Sequence, residues 1–116
     1  MKSNDEKMLI EAFRQIAKAD GFEARYDKLC EETVETISAR SVFHLDPHNE
    51  KFKKHLVEEL ADMAVCIEIL VEVLDEREGF EAVKRFKTYR EVCRRWLKEP
   101  KWCASNPVKE EPEDDE

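Results

Sequence analysis

The sequence predicts an all-α fold, a four-helix bundle followed by an acidic tail. Three observations lead there. Two glycines and four prolines in 116 residues leave little turn chemistry for a sheet-rich fold. Apolar residues recur at helical spacing in four stretches. Hydrophobic and charged residues each make up 41% of the chain, as expected of helices with strongly solvated outer faces. The length suits one domain, expected over residues 1–100, with residues 101–116 as a mobile tail.

The first helix is expected from Asp5 to Ala19, where Met8, Leu9, Ala12, Phe13 and Ile16 share a face and Asn4 or Asp5 caps the start. Asp20-Gly21 is read as its stop, with Gly21 in the left-handed position beyond the last turn. A second helix is expected from Phe22 to Ser41, its core stripe being Tyr26, Leu29, Cys30, Thr33, Val34 and Ile37. On that reading Glu31, Glu32 and Glu35 fall on the opposite side. Asp46-Pro47 signals a third helix, Pro47 to Glu76. Its stripe is Phe52, Leu56, Leu60, Met63, Ile67, Leu70 and Leu74, and a second row joins Glu59 and Asp62 to Cys66, Ile69 and Val73. That breadth of apolar surface implies burial by another subunit, hence a homodimer or homotetramer. Glu78-Gly79 breaks the pattern, and Phe80 to Leu97 is expected as a basic fourth helix.

Charge and cysteine usage narrow the class. The net charge is −8, but six acids crowd residues 110–116, so the body is near neutral. Neither part offers the concentrated basic surface of a duplex nucleic-acid binder. Cys30, Cys66, Cys93 and Cys103 are widely spaced and read as free thiols in a reducing compartment. The N-terminal residues carry no apolar signal region, and the longest apolar-rich run, Ala61 to Leu74, is interrupted by acids. A cytoplasmic protein without a membrane segment is the expectation.

The chemistry lies in the acids. Glu31-Glu32-x-x-Glu35 and Glu59-x-x-Asp62 place carboxylates three or four residues apart on two helices expected to run antiparallel. Carboxylates gathered at one spot repel unless a cation sits between them, and an all-oxygen set suits Mg²⁺, with Mn²⁺ as a substitute. The alternative is two solvated helix faces, but Glu59 and Asp62 share a row with apolar residues and should point inward. A zinc site from His44, His48 and His55 is disfavoured because the first two straddle a helix start. A di-iron site fails for want of Glu-x-x-His on two helices.

Leu29-Cys30-Glu31-Glu32-Thr33-Val34-Glu35, followed by Glu58-Glu59-Leu60-Ala61-Asp62-Met63, resembles the paired EExxE and ExxD signature of the all-α nucleoside triphosphate pyrophosphohydrolases, MazG-like proteins among them. The resemblance covers about residues 22–75. It implies an oligomeric helical bundle that cuts a nucleoside or deoxynucleoside triphosphate between its α and β phosphates with Mg²⁺. By the same resemblance Glu32, Glu35, Glu59 and Asp62 would hold the metal, and Glu31 and Glu35 would serve the catalytic water. Lys28, Lys54, Lys84, Arg85 and Lys87 are candidates for holding phosphate. A phosphoribosyl-ATP pyrophosphohydrolase and a non-catalytic helical interaction module are the competing expectations.

Overall fold

The computed structural model describes residues 2–98, and over these the chain is all-helical. Three helices form where four were expected: α1 (Asn4–Leu45), α2 (Glu50–Val73) and α3 (Arg77–Lys98). The expected first and second helices are one element, because Gly21 does not end the run. Its backbone sits at φ 81°, ψ 178°, a conformation essentially reserved for glycine, and helix resumes on both sides. A kink at one residue replaces a loop. The acidic tail expected over residues 101–116 lies outside the described residues.

The helix ends are set by side chains close to, but not at, the expected positions. Ser3 accepts from Glu6 N–H at 3.1 Å and caps α1. Asn49, rather than Asp46, caps α2, its Oδ1 accepting from Lys51 N–H at 3.0 Å and Phe52 N–H at 3.3 Å. Asp46-Pro47 becomes the turn before it. Asp75 takes the left-handed conformation after α2, at φ 53°, and Glu76 N–H closes back onto the Val71 carbonyl. Gly79, expected to break the chain, lies inside α3.

The chain divides into two units, Met1–Glu76 and the part beginning at Arg77, of which α3 is described. In the first unit α1 and α2 pack as an antiparallel pair: Arg14 reaches Glu72, Arg25 reaches Cys66, and Thr36 reaches Glu59. In the second unit α3 carries no buried residue. No helix among the described residues is long and apolar enough to cross a membrane.

The helical face turned inward differs from the one expected. The apolar stripe of α1 beyond Gly21 stays in water, with Val34 63% and Ile37 61% exposed and Tyr26 also exposed. Counting 100° per residue, the side facing α2 is the one with Arg25, Lys28, Glu32, Thr36 and Ala39. Ala39 is buried to 3% and Glu32 to 6%. On α2 the second expected row does turn inward at Glu59, Cys66 and Ile69, with Asp62 exposed at its edge rather than inward, whereas Leu60 and Leu74 of the expected main stripe are exposed. The physical reason is that small and hydroxyl-bearing residues, Ala39 and Thr36, let the backbones approach closely along the polar side.

Replacing Gly21 tests the kink. A Cβ there meets nothing within 4 Å, so the cost is purely conformational. Gly21→Ala is expected to destabilise the chain by about 1–3 kcal/mol in a urea titration. An unchanged midpoint would mean that α1 straightens without loss.

Candidate metal centre

The site is assembled where a side chain of α1 reaches the backbone of α2. Thr36 Oγ1 donates to the Glu32 carbonyl of its own helix at 2.8 Å and approaches the Glu59 carbonyl of α2 at 3.3 Å. That contact fixes the register of the two helices, and the register brings the two acidic motifs together.

Glu32 is the shared member. Carboxylate oxygens of Glu32, Glu59 and Asp62 lie within 4.8 Å of one another, and so do those of Glu31, Glu32 and Glu35. The four expected ligands are thus brought to one region, with Asp62 and Glu35 on its exposed side and Glu32 at its floor. Glu32 Oε1 pairs with Lys28 Nζ at 3.3 Å, but its Oε2 is buried without a partner. Glu59 Oε2 is buried and partnerless as well, and its Oε1 lies 3.9 Å from His55 Nε2. Two buried carboxylate oxygens without donors are costly, because desolvation is not repaid by hydrogen bonds. A hard cation accepting oxygen ligands removes that cost, so the donor set fits Mg²⁺. The metal-capable groups among the described residues contain no histidine.

The charges respond to this crowding. The Glu32 carboxylate beside it, then burial and the Glu59 carboxylate, push the Glu35 carboxyl above its ordinary value. Glu31 and Glu32 accept hydrogen bonds from Lys28 and hold its ammonium above the usual lysine value. Burial raises the Cys66 thiol, outweighing the pull of Arg25, so Cys66 stays a neutral thiol in the groove.

A pH dependence follows from Glu35. With its folded pKa above the unfolded one, the folded chain binds the extra proton in the interval between them. Stability is therefore full below the ordinary carboxylate pKa and falls as pH rises through the Glu35 value. In chelator the melting temperature should drop across that window, and saturating Mg²⁺ should flatten the drop. Superimposable melting profiles with and without Mg²⁺ would contradict the site.

Of the expected phosphate contacts, only Lys28 is brought to the acids, through Glu31 at 3.2 Å and Glu32 at 3.3 Å. Lys54 is exposed on α2. Lys84, Arg85 and Lys87 are exposed on α3, outside the unit that carries the acids. Lys84 instead lies over the Phe80 ring at 5.4 Å. Sequence reasoning overlooked Arg25, Thr36 and Ala39. Their spacing from Glu32 places all three on its face, a signal hidden by taking Tyr26, Val34 and Ile37 as the inner stripe. Cys30, expected in that stripe, is exposed, as is Cys93, and both are free thiols.

Comparison with protein-family models, with curated proteins and with solved structures returns no match for this chain.

Proposed function

We propose that the protein is a Mg²⁺-dependent hydrolase that cuts a nucleoside or deoxynucleoside triphosphate between the α and β phosphates, releasing nucleoside monophosphate and pyrophosphate. The observation that carries this reading is the buried Glu32, with one oxygen lacking any donor, shared by two carboxylate triads, one within α1 and one joining α1 to α2. The EExxE and ExxD resemblance to MazG-like proteins agrees with the same residues.

Glu32, Glu59 and Asp62 would hold the ion, with Glu35 at the exposed edge. Bound Mg²⁺ supplies neutralisation of phosphate charge and acidifies nearby water. Glu35, on the exposed edge of the acids, accepts the proton of the water that attacks the α-phosphorus. As that P–O bond forms, the bond from the α-phosphorus to the bridging oxygen breaks and pyrophosphate leaves with the electron pair. Glu31 is tied to Lys28 and orients that ammonium toward the site.

Two copies of the α1–α2 pair would complete a four-helix bundle, each covering the apolar stripe of Tyr26, Val34 and Ile37 on the other. An unassembled chain would leave that stripe in water, contrary to the usual economy of soluble folds. The protein would work in a reducing compartment such as the cytoplasm, its cysteines as thiols.

Phosphate release, coupled to an inorganic pyrophosphatase and run across the ribo- and deoxyribonucleotides with and without Mg²⁺, tests the activity. Turnover of at least one nucleotide, lost in chelator, is the expected result. No release from any nucleotide would leave a binding module as the better reading.

A further inference from the structure

Arg25 is a half-buried cation on the inward face of α1 whose hydrogen bonding is left incomplete. Its side chain is only 15% exposed. Nη1 donates to Asp20 Oδ2 at 3.2 Å, Nη2 meets only the Cys66 sulfur at 3.7 Å, and Nε is buried with no acceptor. A guanidinium offers five N–H donors in a planar fork, and a thiol is among the weakest acceptors. The edge formed by Nε and Nη2, which suits two oxygens of an oxyanion, therefore has none.

Position gives this deficit a meaning. Arg25 precedes Lys28 by three residues and Glu32 by seven, so all three share the inward face of α1. Across the α1–α2 seam Cys66 follows Asp62 by four residues, about one turn or ~6 Å along α2. The row therefore runs from carboxylates, through Lys28, to Arg25 at the end nearer the kink. A polyphosphate anchored at the acids and extended toward the kink would meet Lys28 first and Arg25 next.

We propose that Arg25 binds the departing pyrophosphate, turning its Nε–Nη2 edge from Cys66 onto phosphate oxygens. This rests on the pyrophosphohydrolase reading and adds the residue that holds the leaving group. A purely mechanical alternative exists: by pairing with Asp20, Arg25 straps the two halves of α1 across Gly21. The two roles make opposite predictions for Asp20. Removing its charge breaks a strap, but frees a phosphate contact from a competing carboxylate.

Calorimetric titration of inorganic pyrophosphate into Mg²⁺-saturated protein separates them. Arg25→Gln is expected to weaken pyrophosphate binding at least tenfold, and Arg25→Lys, which keeps the charge but loses the fork, by severalfold. Asp20→Asn should bind as the parent protein does, or more tightly. Mg²⁺ uptake and helicity should be unchanged in Arg25→Lys and Asp20→Asn, which keeps the test decisive even where Arg25→Gln does not fold. Unchanged affinity in the Arg25 variants, or an equal loss in Asp20→Asn, would overturn the assignment while leaving the enzymatic reading intact. Failure of the parent protein to take up Mg²⁺ would remove that reading, and the role of Arg25 with it.

Discussion

Asp62→Asn and Glu35→Gln are each expected to lower Mg²⁺-dependent pyrophosphate release by about a hundred- to ten-thousandfold, with circular dichroism still showing intact helices. The size follows from what each residue supplies. A positioned carboxylate base contributes about 10²–10⁴ in rate. Among the described residues Asp62 belongs to the triad that joins the two helices, so without it a bound ion would lose a ligand from α2. Both side chains are exposed, so their loss opens no cavity.

Glu32 should behave differently. Glu32→Gln removes a buried charge with an unpartnered oxygen, so the metal-free protein is expected to melt higher than the parent. The same change should abolish the stabilisation that Mg²⁺ gives. Opposite signs for stability and metal response at one residue are the mark of an interior kept for its site. Near-normal turnover in Asp62→Asn and Glu35→Gln, or a lower metal-free melting point in Glu32→Gln, would defeat the assignment.

The second large effect concerns assembly. Ile37→Asp, alone or with Val34→Asp, should convert the protein to a monomer in sedimentation velocity at micromolar concentration and abolish cooperative unfolding. Both side chains are more than half exposed in the isolated chain, so a polar substitution there harms nothing within one copy. In an assembly it would bury an unpaired carboxylate at the subunit contact, which is among the most destabilising changes available. Variants that sediment and melt as the parent does would place the contact elsewhere or remove it.

The helical class was readable from the glycine and proline content and from apolar periodicity, and all described elements agree. The acids too were readable: residues three and four apart on a helix share a face whatever the fold. What misled was the direction of that face. An amphipathic stripe says which residues need cover, not which neighbour gives it, so Tyr26, Val34 and Ile37 pointed to a core that lies on their opposite side. The number of helices was missed for a local reason. A glycine before Phe22 reads as a stop, yet one residue at φ 81° redirects the backbone and both flanks remain strong helix formers. The start of α2 moved from Asp46 to Asn49 because only the latter has its side-chain oxygen within reach of two free amides.

One consequence of the Glu32 floor reaches beyond the proposed reaction. If the proposed ion binds, mutual repulsion inside the α1–α2 seam would make the chain's conformational integrity hostage to mineral supply. By mass action an ion at a hundred times its dissociation constant adds about 2.7 kcal/mol to folding. In depleted cells, more copies would open and become accessible to proteases. The steady-state amount of protein would then follow the supply of Mg²⁺.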